Sequence, residues 1–352
     1  MEIYEDITYN PTIEDEIKVN EIRGFLEDEG IEYSEDEKVY GLFHISDING
    51  GLIELRYVNS YAFPMDNSKR FGEKCKGVMH DYFYNISRCK SDEGIRVIWV
   101  FDFEMEQVND NVVKWSYGEG YRRQWEVIKN TIRTCCGKIR YRFRGDDFIV
   151  SEVGNNELRR FLNTNCFYGY RSASVNLGLY LRKDKYEYKK GELIMVLTFG
   201  YNFYGNKNRQ DNPFIEIIRA STKIGCQVIG GMSKLLKYFC LNYPTIKVGG
   251  RDIVVDELKF YCDASHNDGR GMSKSALAFH FDGWDYGFMN RYVCDVDENG
   301  LKGKKGEIFH RKPKFHKEIM KLIGEGKIIS IANAGTSVFS IRREEFLDRF
   351  KK

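Results

Sequence analysis

The chain lacks most of the features that announce a secreted, membrane-embedded or metal-stapled protein. Only 5 of its 352 residues are proline, which excludes a proline-rich linker or a polyproline surface. No run of about 18 apolar residues and no charged-then-apolar leader is present, so neither a membrane span nor a secretory signal is expected. The 9 cysteines include no CxxC pair, and no Cys or His pair has ligand spacing, which argues against structural zinc. An odd count, with Cys135 and Cys136 adjacent, is a poor disulfide framework and predicts reduced thiols in a cytoplasm. Charge of one sign is scarce too. The net charge of +2 excludes a strong global field, although its distribution is uneven. Glu14, Asp15, Glu16 and the run Glu27-Asp28-Glu29 make the beginning acidic, while Arg122 to Arg144 and Lys302 to Lys317 are basic. Such asymmetry permits an acid-lined site beside cationic surfaces for phosphates.

What is there describes a globular protein. A 42% hydrophobic, 30% charged chain of this length supports two or three domains with cores of their own. Tyrosine is abundant within an aromatic content of 14%; its ring serves equally as core filler or as a stacking platform for bases.

Taken in order, residues 14–29 have Ile17, Ile22, Phe25 and Leu26 on one helical face, with Gly30 as the C-terminal stop. Tyr40 to Ile45 and Leu52 to Val58 read as a strand pair turning on Asn49-Gly50-Gly51. Residues 77–93 pattern as a helix. Ile95 to Phe103 is almost wholly apolar, as a strand buried on both faces would be. This order is that of an α/β core. Around Trp125 to Arg133 an amphipathic helix runs into Lys138-Ile139-Arg140-Tyr141-Arg142-Phe143-Arg144. There a period of two buries Ile139, Tyr141 and Phe143 and presents Lys138, Arg140, Arg142 and Arg144. Four cations in a row suit phosphate contact; they equally blunt an exposed strand edge.

Leu158 to Leu162 read as a short helix. The stretch from Phe167 to Phe239 follows, with apolar, glycine-punctuated strands such as Leu193-Ile194-Met195-Val196-Leu197-Thr198-Phe199-Gly200. It ends in Val228-Ile229-Gly230-Gly231-Met232-Ser233-Lys234-Leu235-Leu236, a strand-loop-helix junction whose free amides would seat a phosphate. Beyond a strand at Leu258 to Cys262 lies the polar loop Asp263 to Gly271, with His266, Asn267, Asp268 and Arg270. It reads as a second active site, a nucleic-acid contact, or a turn rich in Asn, Asp and Gly. The tail holds the basic stretch, a helix through Ile319 and Leu322, and Asn333-Ala334-Gly335.

Two resemblances rest on these residues. Leu52-Ile53-Glu54-Leu55, Tyr61-Ala62-Phe63, His80 to Cys89 and Glu93 to Ile98 resemble the very-short-patch-repair-like variety of the PD-(D/E)XK nuclease core. Gly169-Tyr170-Arg171-Ser172-Ala173, Asn176-Leu177-Gly178-Leu179, Thr198-Phe199-Gly200, the Gly230 to Leu236 run, Asp263 with Asn267-Asp268-Gly269, and Asn333-Ala334-Gly335 occur in one order. That series is similar to phage-encoded Hef-like homing endonucleases, which join such a nuclease core to an acetyltransferase-like (GNAT-like) domain. The resemblance implies a multidomain α/β protein: a nuclease domain over 1–107, a basic connector over 108–150, a GNAT-like domain over 151–300 and a basic extension over 301–352.

It also implies Mg2+-dependent cleavage of duplex DNA in the cytoplasm of a host cell. Glu54, Asp102 and Asp47 would hold the metal, with Glu21 or Glu16 reaching in from the first helix and His80 as acid or base. DNA would be gripped by Lys138, Arg140, Arg142, Arg144, Arg171, Lys234 and Arg270, and by Lys304, Lys305, Arg311, Lys312 and Lys314 in the tail. Arg171 and Arg219 suit phosphate by type, and either equally suits a carboxylate. Two alternatives stand beside this. The family's aspartate before the hairpin falls nearer Phe43 or His44 than Asp47, which opens the reading of a catalytically inactive nucleic-acid-binding protein. The other alternative is a GNAT-type acyltransferase that holds acetyl-CoA through Gln227, Gly230 and Gly231. Its Q/R-x-x-G-x-G/A motif has Met232 where Gly or Ala belongs.

Overall fold

A computed structural model describes residues 10–59, 78–105, 124–202, 206, 213–274, 277–285, 290–294, 307–309, 328–332 and 334–351. The side chains of 78–81, 103, 274, 290–294, 307–309 and 328–332 fall outside that description. The protein is a multidomain α/β chain of two compact units. One comprises Met1–Lys138, Asp263–Asp268 and Trp284–Thr336; the other comprises Ile139–Cys262, Gly269–Gly283 and Ser337–Lys352. The connector expected over 108–150 is thus divided near residue 138, and two later segments join the first unit.

The first unit begins with helix α1, Ile13–Asp28. Thr12 caps it, and the Asp15 carboxylate accepts from the Thr12 amide at 2.7 Å. The same carboxylate accepts from Tyr57 Oη and Asn59 Nδ2, both at 2.8 Å, so one acid caps the helix and fastens it to the sheet. That sheet has the order β1-β2-β3-β4, with β1 Tyr33–Glu35, β2 Leu42–Ser46, β3 Leu52–Val58 and β4 Arg96–Phe101. β2 and β3 form the expected hairpin, and Gly50 takes the positive φ of 80° that its turn requires. β3 and β4 are parallel, joined by helix α2, Val78–Asp92. A parallel pair needs such a crossover and buries both faces. On one face Phe83 packs edge-on to Trp99 and Phe101. Helix α3, Gln124–Cys135, belongs here as well: Trp125 packs on Phe25 and donates to Glu21, and Arg133 pairs with Glu29 at 2.8 Å.

The second unit opens with β5, Tyr141–Arg144, and β6, Phe148–Glu152, followed by helix α4, Asn155–Asn165. Its main sheet has seven strands in the order β14-β18-β13-β9-β8-β7-β6. These are β7 Val175–Leu181, β8 Leu193–Tyr201, β9 Phe214–Thr222, β13 Glu257–Asp263, β14 His280–Asp285 and β18 Thr336–Arg342. Strands β6 to β9 pair antiparallel and β9 pairs parallel with β13. The crossover between β9 and β13 runs through β10 Cys226–Ile229, helix α5 Gly231–Asn242 and the hairpin β11 Thr245–Val248 with β12 Arg251–Val254. Phe239 of α5 stacks on Phe199 with centroids 3.7 Å apart, at the centre of the largest core cluster. Short helices α6, Arg270–Lys274, and α7, Arg343–Asp348, complete this unit.

A three-stranded sheet in the first unit is formed by β15 Asn290–Cys294, β16 Glu307–Phe309 and β17 Ile328–Ala332, in the order β16-β15-β17. Among the described residues no helix is long and apolar enough to cross a membrane. The tail helix expected through Ile319 and Leu322 lies outside the described residues.

Candidate functional site

The carboxylates expected to share a cation are not gathered. Glu54 stands opposite Val97 in the β3-β4 register. Asp102 comes after the last residue of β4, roughly 16 Å farther along at about 3.3 Å per residue. Glu54 is instead consumed by cations. Its Oε2 accepts from Arg56 Nη2 at 2.6 Å and Nε at 2.8 Å, and its Oε1 lies 2.9 Å from Lys90 Nζ. Arg56, two residues along the same strand face, stacks over Trp99 at 5.4 Å. A carboxylate held by two cations at hydrogen-bond distance has no lone pair pointed at an open position for a metal ion.

Asp47 caps its hairpin, accepting from the amides of Asn49 at 2.7 Å and Gly51 at 2.8 Å. Glu21 accepts from the Trp125 indole at 2.6 Å, and Glu16 lies 3.8 Å from Arg23. His80 lies on α2, with its side chain outside the described residues. Among the described residues no three His, Cys, Asp or Glu side chains converge as metal ligands. Glu54, Asp102 and Asp47, expected to hold Mg2+ together, are thus not among any gathered ligand set of the described residues.

What does gather at the end of β4 joins residues far apart in the chain. The 263–268 segment runs beside β4, with the Trp99 amide donating to Ser265 O at 2.8 Å. It brings His266 Nε2 within 3.4 Å of Glu104 Oε2 and His266 Nδ1 within 3.9 Å of Asp263 Oδ2. Asp102, Glu104 and His266 are all buried. No local pattern signals this pairing.

In the second unit the basic row and the glycine pair are brought together. β5 and β10 form a parallel ribbon in which Gln227 faces Arg142 and Ile229 faces Arg144. Tyr141 and Phe143 are buried, while Arg142 and Arg144 are exposed, as the period of two demands. Arg140 precedes the strand; it is exposed, stacks over Tyr141 at 4.8 Å and lies 3.9 Å from Glu187. Lys138 is an exposed loop residue of the first unit. One residue past Ile229, Gly230 adopts φ 73° and ψ 5° and caps α5 with no side chain. The amides of Gly231, Met232 and Ser233 find no acceptor among the described residues, as a first helical turn leaves them; Gly231 is buried and Met232 and Ser233 are half-buried.

Two expected ligand residues have structural work here. A Cβ on Gly231 would stand 2.7 Å from Val228 Cγ1 and 2.8 Å from Met195 Sδ, so this glycine lets the helix pack closely. Lys234 donates to the carbonyls of Gly145 at 2.8 Å and Phe148 at 2.9 Å. Burial and the nearby Arg182 hold its pKa below the usual lysine range. It is a strut for the ribbon more than a free phosphate contact. Arg171 is exposed, and Arg270 is half-buried at the start of α6. Lys304, Lys305, Arg311, Lys312 and Lys314 lie outside the described residues. A cavity of about 360 Å³ lies elsewhere in this unit, lined by Asp256, Glu257, His280, Arg342 and Glu345 among others. In comparisons with known proteins, no family model matches the chain and no curated protein matches it.

Proposed function

We propose that the chain is a duplex-DNA-binding protein of the homing-endonuclease kind that its sequence resembles, gripping backbone phosphates through the second unit. One observation carries this reading. The outward arginines of the β5-β10 ribbon lead, within one residue, into the three unpaired amides that start α5. Cations and amide donors in line match a row of phosphates and supply sequence-independent affinity. A coenzyme A pyrophosphate is less well served: Gly231 is spent on packing, Met232 takes the place of a small residue, and Lys234 is tied to carbonyls. Thermal stabilisation by acetyl-CoA and not by DNA would reverse that preference.

The test is fluorescence anisotropy of a labelled duplex across a salt series. Each phosphate contact contributes about 0.9 to the slope of log affinity against log salt. Arg142→Ala with Arg144→Ala should therefore weaken binding and reduce the slope by roughly 2. Binding that ignores salt, or that the double variant leaves intact, removes the case.

A second reading, hydrolysis of the bound strand, has its own support. Glu104 and Asp263 both approach His266, an arrangement that holds an imidazole for proton transfer. Nicking of plasmid DNA in Mg2+ buffer that is lost in His266→Ala but kept in Glu54→Gln would favour it. Nicking that depends on Glu54 would restore the original carboxylate set.

A further inference from the structure

The connection from β7 to β8 carries a tyrosine where its backbone asks for glycine. Lys185 and Tyr188 exchange both backbone hydrogen bonds, at 3.0 and 3.1 Å, so Tyr186 and Glu187 are the two central residues of a tight hairpin turn. Tyr186 has a φ of 55°, while Glu187 is not among the residues at positive φ. A turn with positive φ at its first central residue places glycine there, because a Cβ is crowded by the backbone. Of the described non-glycine residues only Tyr186 and Ala278 adopt positive φ. A bulky aromatic held in that region is an outlier that points to work for its side chain.

The side chain is fixed yet open. Its hydroxyl donates to Arg142 O at 3.0 Å, and its ring lies 5.2 Å from Tyr141 and 5.3 Å, edge-on, from Phe143. These contacts seat Tyr186 against β5, and it is still 56% exposed. Cations surround it. Arg140 stacks over Tyr141, Lys185 Nζ lies 5.6 Å from the Tyr186 ring centre, and Lys183 and Lys190 are exposed on the same connection. The acids nearby already have partners: Asp147 holds Lys185 at 2.7 Å, Asp184 holds Lys189 at 3.0 Å, and Glu187 accepts from the Tyr141 hydroxyl.

We infer that Tyr186 is a stacking platform for an unpaired base of the DNA that the ribbon holds. This rests on the reading of the ribbon as a phosphate grip and extends it from the backbone to a base. A fully paired duplex keeps its base faces inside the stack, whereas an extrahelical or single-stranded base offers its face to a ring. An aromatic side chain held rigid among cations suits that partner: the cations meet the phosphates and the ring meets the base.

The experiment uses the full chain and two labelled duplexes, one fully paired and one carrying a single unpaired 2-aminopurine. The second should bind about tenfold more tightly, the worth of one base stacked on an aromatic ring, and its 2-aminopurine emission should fall on binding. Tyr186→Leu should abolish the preference and the fall in emission, with the salt slope for the paired duplex at its parent value. Tyr186→Phe, which keeps the ring, should retain both. Equal affinity for the two duplexes without a change in emission overturns this inference and leaves the DNA-binding reading intact, whereas failure to bind either duplex overturns both. A preference that survives Tyr186→Leu places the base elsewhere and also overturns the inference. So does a Tyr186→Leu protein that loses paired and unpaired duplex alike, because Tyr186 would then only brace the ribbon.

Discussion

Replacing Glu54 separates a structural ion pair from a metal ligand by the sign of its effect. In a metal-free cluster of carboxylates, removing one relieves repulsion and stabilises the fold. Here the carboxylate is buried between Arg56 and Lys90, and the Glu54 and Arg56 side chains are 3% and 5% exposed. Glu54→Gln takes away the carboxylate that pairs with the buried Arg56 guanidinium. Breaking a buried pair from one side costs about 3–5 kcal/mol. With a urea slope of roughly 2–3 kcal/mol/M, the midpoint should fall by about 1–2 M. Trp99, over which Arg56 stacks, and Trp125 lie in the first unit, so the change in tryptophan emission reports its unfolding. The double variant Glu54→Leu with Arg56→Met should recover most of the loss, because neither member of the buried pair is then left alone and Lys90 keeps Glu93 at 3.6 Å. A Glu54→Gln protein as stable as the parent, or one that alone loses stabilisation by Mg2+, would refute the ion-pair account.

Three further outcomes are expected. Burial alone would raise the Asp15 carboxyl, yet hydrogen bonds from Thr12, Asn59 and Tyr57 hold it below the ordinary value. A depressed pKa gives stability that is complete above the unfolded value of about 3.9 and is lost as pH falls through the folded one. Asp15→Asn should therefore flatten the acid limb of tryptophan-monitored unfolding. Gly231→Ala should destabilise the second unit by about 1–3 kcal/mol through overpacking against Val228 and Met195, measured by circular dichroism in urea. Gly230→Ala meets nothing within 4 Å and should cost only the left-handed backbone penalty of about 1 kcal/mol.

The local order of elements was legible because period and punctuation carry it. Gly30, Gly50 and Gly230 all sit at positive φ where a helix stop, a turn or a helix start was read. The alternation in Tyr141-Arg142-Phe143-Arg144 appears as written. The site was less legible, and Glu54 shows why. An acid on a buried strand reads as a ligand, although Arg56 two residues on shares its face and was the available sign of a partner. Lys234 resembles a phosphate contact until the carbonyls it reaches are known. Glu104 and His266 meet only because 263–268 returns to the first unit, and such long-range assembly leaves no local pattern.

Hydrogen exchange with and without a duplex tests the central claim most directly. The account predicts that DNA slows exchange at the amides of Gly231, Met232 and Ser233 and along 141–144, with the first-unit helix Ile13–Asp28 unchanged. Protection that spares the ribbon and the start of α5 altogether would contradict it.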